Sequence, residues 1–403
     1  IQDVTLLCKL DEKLQFLDLV RMLSYIGLTP FNAALGTIST VNGRAIIQAR
    51  RGEDPRVIPT FIKDKSRTEK YEGAYVSEPQ RGFQDNIISF DANSLYPSTM
   101  ITLNLSPETK FGEITFTDDD TVYVKSINNE DFKFSKPNFV KWIKKNKIAV
   151  TRAKKLFFQE PKGIFPTISE HFYKIRREKK DLMIELKKEL TDLKNKVADI
   201  TDTKEKEKIN KRIEELPTKI NQAKIYQLTL KILINRIYGY FGNKHSQMGD
   251  GDIARSITLT GQDVIKQSNV ILRNYIKEHT NLSDEDLKNN DPVIYNDTDS
   301  SYVTISPLLE HMNIPLFIEA HSPATKNIVV KPEVYDLVQN IEDYLNKHIE
   351  SWARNTLNTI DPRFVFKRES ICDKGMFLQK KRYVLHKLDD EGDPCNTFKY
   401  TGV

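Results

Sequence analysis

Cysteine is scarce in this 403-residue chain. Cys8, Cys372 and Cys395 are scattered, form no C-x-x-C pair and are odd in number. A disulfide framework and a zinc site are therefore not expected, and a reducing compartment is the default. The seven histidines contain no H-x-x-x-H pair. No run of eighteen apolar residues is present, so no membrane partner is expected, and no signal peptide opens the chain. Glycine and proline are nearly missing from Thr167 to about Arg212, which excludes a loop-rich region there. The chain begins at Ile1 without methionine and stops at Val403 in an expected strand, so both ends are expected to be cut from something longer.

With 39% hydrophobic and 29% charged residues, the composition is that of a soluble globular protein with room for two or three domains. A net charge of +5 fits a phosphate-bearing partner without identifying one. Residues 1–32 show helical apolar spacing, and residues 51–70 read as a linker. Short apolar runs at Gly73–Val76, Ile87–Phe90, Glu113–Phe116 and Val122–Val124 predict strands, as do Val293–Tyr295, Tyr302–Ile305, Phe364–Phe366 and Arg382–Leu385. Between these groups, Leu186, Leu190, Leu193, Val197 and Ile200 step by four and three. Ile209, Ile213, Leu216 and Ile220 repeat the stepping after a polar break. This predicts a long antiparallel helical hairpin, running past Pro217 to about Gly239, inserted between two parts of one sheet domain. The fold class expected is α+β.

Two acidic segments end apolar runs. Asp91 follows Ile87–Phe90, and Asp297-Thr298-Asp299 follows Val293–Tyr295 at an expected hairpin tip, where a tight turn can separate the two acids. Taken alone, such a tip is common turn chemistry. Crowded carboxylates need a cation, and oxygen-only sites suit Mg²⁺, which shares its shell with substrate phosphates. On the arm, Arg176 and Lys180 lie four apart on one helix, and Lys231 and Asn235 four apart on the other with Tyr238 on the same side. Three cations and an amide would suit a triphosphate, although lysines on a helix are often a solvated face and Tyr238-Gly239 also reads as a helix end.

The sequence resembles family B DNA polymerases of the T-even-like bacteriophage type. Asp91-Ala92-Asn93-Ser94-Leu95-Tyr96-Pro97-Ser98 is similar to the first palm motif, D-x-x-S-L-Y-P-S. Lys231–Gly239 is similar to the fingers motif K-x-x-x-N-S-x-Y-G, and Tyr295–Ser300 to the palm motif Y-G-D-T-D-S. Tyr71–Ala74, Lys381–Tyr383 and Lys399–Gly402 resemble the linker, primer-terminus and last palm motifs. The resemblance implies a template-directed polymerase that adds dNTPs to a primer 3′-hydroxyl with two Mg²⁺ ions, Mn²⁺ serving as a substitute. Asp91 and Asp299 would hold the metals with the Ala92 carbonyl, Asp297 nearby and Glu369 as a secondary acid. Arg176, Lys180, Lys231 and Asn235 would grip the triphosphate. Leu95 and Tyr96 would line the sugar pocket, and Tyr238 and Gly239 would pack on the new base pair. Tyr71 and Gly73 would meet the template strand, and Lys381, Arg382 and Tyr383 the primer end.

The divisions implied are the end of an exonuclease region and linker (1–66), palm (67–165 and 246–403) and fingers (166–245), without a thumb. Ile1–Val4 resembles the end of an exonuclease motif, so Asp3 would be its last acid, and no proofreading is expected from this chain alone. Partners would be primer–template DNA, dNTPs, a sliding clamp and the missing regions or a complementary chain, in the cytoplasm of an infected bacterial host. The sequence departs from the pattern at Arg236, where a small residue is expected, at Asn296 for glycine, and at Lys367, where phage relatives carry an acid. One half of a split polymerase and a non-catalytic DNA-binding subunit derived from a polymerase are the alternatives. An unrelated metal-dependent nuclease would have no use for the Lys231–Asn235–Tyr238 face.

Overall fold

A computed structural model describes residues 2–51, 72–197, 202–322 and 325–403. The linker, Tyr71 and Ile200 lie outside the described residues, as does the side chain of Asp3. Helix and antiparallel sheet are mixed, so the fold is α+β.

The opening helical pattern becomes α1 (Gln2–Leu14), α2 (Phe16–Gly27) and α3 (Thr37–Arg51). Strand β1 (Gly82–Ala92) leads into α4 (Leu95–Thr102). Next come β2 (Lys110–Thr117), β3 (Thr121–Ser126), β4 (Asp131–Ser135), α5 (Lys136–Lys145), β5 (Ile148–Val150) and β6 (Lys155–Phe158). The arm is α6 (Ile164–Lys196) and α7 (Thr203–Phe241), followed by α8 (Gly251–Glu278) and α9 (Asp284–Asn289). Strands β7 (Val293–Asp297) and β8 (Ser300–Thr304) precede α10 (Ser306–Met312), the hairpin β9 (Phe317–Ser322) and β10 (Thr325–Val330), and α11 (Pro332–Thr356). The chain closes with β11 (Phe366–Gln379), β12 (Arg382–Asp390) and β13 (Asp393–Thr401).

Two expected strands differ. Gly73–Val76 is irregular, with only an isolated bridge from Val76 to Asp297, because its backbone groups bond singly to neighbouring segments rather than in a ladder. Phe364 and Val365 precede β11, and the Val365 carbonyl accepts from the Asn93 amide 2.8 Å away.

One compact unit comprises residues 1–69, 106–108 and 162–254. Asp202 starts α7 as an N-cap, accepting from the Lys204 and Glu205 amides at 2.8 and 3.3 Å. Pro217 sits inside α7 without ending it. Phe165 packs on Tyr240 and Phe241, Lys179 lies over the Tyr226 ring, and Arg212 forks onto Glu189 at 2.7 and 2.9 Å. These pairs set α6 and α7 antiparallel, with Leu186 and Leu216 buried in the seam. Helices α2 and α3 pack on α7.

The second unit comprises residues 70–105, 109–161 and 255–403. Its six-stranded antiparallel sheet runs β13-β12-β11-β1-β8-β7, so strands from both sides of the arm share one sheet. Ile87, Ile294, Tyr295, Tyr302, Cys372, Phe377, Tyr383 and Leu385 form a core against it. A separate sheet, β4-β3-β2-β6-β5, buries Val122, Val124 and Leu156 with Phe139 and Ile143 of α5.

Candidate active site

Strand β1 lies between β11 and β8, and Ile87, Ile88 and Phe90 are fully buried along it. Such a run fixes the strand's depth and register, and Asp91 emerges at its end. Asp91 lies opposite Ser300 of β8 and Lys367 of β11. The Ser300 hydroxyl donates to Asp91 Oδ1 at 3.0 Å, and the Ala92 amide donates to the Asp299 carbonyl at 2.8 Å. These two bonds tie together acid-bearing segments more than two hundred residues apart in sequence.

The hairpin tip separates its acids. Thr298 has φ 62°, and the Asp299 amide donates back to the Asp297 carbonyl at 2.7 Å. Asp297 is taken up by Lys381 Nζ at 2.7 Å. Asp299 repels Asp91, and Lys381 partly offsets the charge on Asp299 too. Burial, then repulsion from Asp299, pushes the Asp91 carboxyl up to about 7. Burial raises Asp299 as well, with Asp297 and Glu369 adding repulsion. Glu369 accepts from Lys399 Nζ at 3.1 Å and from the Ser89 hydroxyl at 3.3 Å. Burial opposes the charge on Lys399, but Glu369 outweighs it and the ammonium is held above its usual range.

Among the described residues no group of three or more acid, histidine or cysteine side chains is arranged to hold a metal. Asp297 and Glu369 each pair with a lysine, whereas Asp91 and Asp299 form a desolvated, repelling pair on which Glu369 also acts. An oxygen-only pair of this kind suits a hard divalent cation completed by water or phosphate oxygens, so the residues fit the implied metal.

Around this pair, Leu95 is buried and Tyr96 half-buried at the start of α4. The carbonyl of Gly73 accepts from Gln262 at 2.7 Å. Lys381 turns at φ 57° with its amide on the Tyr295 hydroxyl (2.8 Å), and Arg382 is exposed. Tyr383 is only 4% exposed and shares a 2.9 Å hydrogen bond with the Tyr302 hydroxyl, so it supports the core rather than offering a free polar atom.

In the helical unit, Lys180, Lys231 and Asn235 are exposed, and no carboxylate pairs with either lysine among the described residues. Arg176 is half-buried, with its Nε lacking a hydrogen-bond partner. The stagger of α6 on α7 puts Arg176 and Lys231 within about one turn of the same level. Tyr238 is half-buried and Gly239 exposed near the end of α7.

A family model for DNA polymerase family B matches residues 39–204 and 202–316. The chain belongs to DNA polymerase family B. Across its whole length this family B chain is 26% identical to the DNA-directed DNA polymerase of Enterobacteria phage T4, covering 42% of that protein. It is 27% identical to the DNA-directed DNA polymerase of Escherichia phage RB69 over 77% of the chain and 34% of the relative. To the DNA polymerase delta catalytic subunit of Candida albicans it is 31% identical over 61% of the chain and 19% of the relative. The family B chain thus spans about two-fifths or less of these relatives' lengths. Among the described residues no helix is long and apolar enough to cross a membrane.

Sequence reasoning missed three site features of this family B chain. Ser300 was legible only as the residue after Asp299, and its hydroxyl proves to hold Asp91. Gly261 of α8 lies against the sugar-pocket candidates: an added Cβ would stand 3.2 Å from the Tyr96 ring and 3.4 Å from Leu95 Cδ2. Arg236 is turned onto the α2–α3 segment, donating to the Ala34 and Leu35 carbonyls and the Thr40 hydroxyl. No local pattern signals the Gly261 contact, and Arg236 stood out only as a departure from the fingers motif.

Proposed function

We propose that this chain is the palm (67–165 and 246–403) and fingers (166–245) of a phage-type replicative DNA polymerase, preceded by the end of an exonuclease region. In this reading it adds deoxynucleotides to a primer 3′-hydroxyl by nucleotidyl transfer on a DNA template. The observation that carries the reading is the desolvated pair Asp91 and Asp299, bonded together through Ser300 and Ala92.

Asp91 and Asp299, with the Ala92 carbonyl and Glu369 as a secondary acid, would hold two Mg²⁺ ions. Bound there, the ions would lower the pKa of the attacking hydroxyl and neutralise charge on the α-phosphate and the departing pyrophosphate. The protein's own part is binding and orientation. Arg176, Lys180, Lys231 and Asn235 would grip the triphosphate and offset charge that grows in the transition state. Tyr96, backed by Gly261, would close the sugar pocket to a 2′-hydroxyl. Tyr238 and Gly239 would meet the new base pair. Gly73 and Tyr71 would border the template, and Lys381 and Arg382 the primer. Lys381 is already bound to Asp297, so that acid would orient the primer-side lysine. A sliding clamp and the regions that complete the longer relatives would be its partners in an infected bacterial cell.

Single-nucleotide incorporation on a primer–template tests the proposal. Asp91→Ala and Asp299→Ala should each abolish incorporation, with the far-ultraviolet circular dichroism unchanged. Near-native incorporation by either variant would end the assignment.

A further inference from the structure

We propose that Arg236 is a positioning residue that clamps α7 to the α2–α3 corner and so sets the angle at which Lys231 and Asn235 are presented. The proposal rests on the reading of that face as the triphosphate grip.

The corner is stiff for reasons visible in its backbone. A Cβ at Gly43 would stand 2.7 Å from the Leu28 carbonyl oxygen and 2.9 Å from that of Gly27, so α3 crosses the end of α2 at backbone contact. Leu28, at φ 52°, caps α2 with its amide on the Ser24 carbonyl. Ser24 donates its hydroxyl to the Thr29 carbonyl at 2.6 Å, and Ser39 to Ala33 at 2.6 Å. Thr40 donates to the Gly36 carbonyl at 3.0 Å.

Arg236 plugs into this corner with both ends of its fork. Nη1 donates to the Ala34 carbonyl at 2.9 Å and to the Thr40 hydroxyl at 3.3 Å, while Nη2 donates to the Leu35 carbonyl at 3.1 Å. The guanidinium is half-buried, and no carboxylate pairs with it among the described residues. Three neutral oxygens on a stiff turn therefore hold the cation, and the planar fork fits only one orientation. One turn further on, Tyr240 donates its hydroxyl to Asn42 of α3 and accepts from the Met248 amide at 2.9 Å. Residues four apart share a helix face, so α7 is pinned along one side at two successive turns. Asn235 projects about 100° away from Arg236 around the helix, so the clamp and the exposed polar face do not compete. Rotation of α7 about its axis would have to break these bonds. A misplacement of about an ångström in a substrate-positioning group is enough to weaken productive binding strongly.

The test compares Arg236→Ala, Arg236→Lys and Lys231→Ala in the full chain. Apparent KM for dNTP, kcat and amide hydrogen exchange across residues 233–240 are read for each. Arg236→Ala should speed exchange in that stretch and raise KM on the order of tenfold, with kcat within about threefold. Arg236→Lys should recover part of both, because an ammonium can still donate to these carbonyls but lacks the planar fork. Lys231→Ala should raise KM without changing exchange, and an unchanged KM there would sink the triphosphate reading while exchange still judged the clamp. Exchange in Arg236→Ala equal to the parent, or faster exchange with an unchanged KM where Lys231→Ala raises it, overturns the proposal. If Arg236→Ala does not fold, Arg236→Gln is read by the same criteria.

Discussion

Asp91→Asn should make the metal-free protein more stable while abolishing nucleotide addition. The carboxyl titrates at about 7 in the folded chain instead of the ordinary 3.8, first because it is desolvated and then because Asp299 repels it. The folded state therefore favours the neutral form. No cost falls below about pH 4; the cost grows as pH rises and is complete once pH passes the folded value near 7. At about 1.4 kcal/mol per pH unit the ceiling is about 4 kcal/mol, and the remaining solvent access of this half-buried side chain lowers it to roughly 1–3 kcal/mol. Asparagine keeps an oxygen for the Ser300 hydroxyl and carries no charge, so it removes the cost and preserves the bond. Denaturant midpoints of parent and variant, measured with EDTA between pH 5 and 8.5, should diverge as pH rises to about 7.5 and then run parallel. Added Mg²⁺ should narrow the gap by stabilising the parent alone. A gap that does not vary with pH, or a variant less stable than the parent at pH 8, would refute the electrostatic account of this site.

Further outcomes follow from packing. Gly261→Ala should push the Tyr96 ring by a few tenths of an ångström, because its Cβ would stand 3.2 Å away. Discrimination of dNTP over rNTP in single-nucleotide incorporation should fall by about three- to tenfold, and an unchanged ratio would remove Tyr96 from the sugar pocket. Asp389 is fully buried and accepts hydrogen bonds from Arg368, from the Tyr335 hydroxyl at 3.1 Å and from the Gly392 amide at 3.0 Å. Asp389→Ala strands the guanidinium and should cost about 3–5 kcal/mol in denaturant unfolding, with Asp389→Asn less damaging.

The chain's own pattern was enough to place the elements that carry the site. Apolar runs followed by an acid put Asp91 and Asp297 near strand ends, where a charge can reach solvent or a cation. The stepping from Leu186 to Ile220 marked the paired helices, because only a helix returns apolar side chains to one stripe at that interval. What tertiary structure alone decided is which of these elements meet, and on which side. Nothing local distinguishes Asp297 from Asp299. Their separation depends on Thr298 entering the left-handed region, a rare conformation for a β-branched residue, and on Lys381 arriving from the turn between β11 and β12. Arg236 read as a departure from a motif until the α2–α3 corner supplied its three acceptors. Periodicity fixes which side chains share a face, whereas the partner of that face is fixed by long-range packing, and no residue encodes it alone.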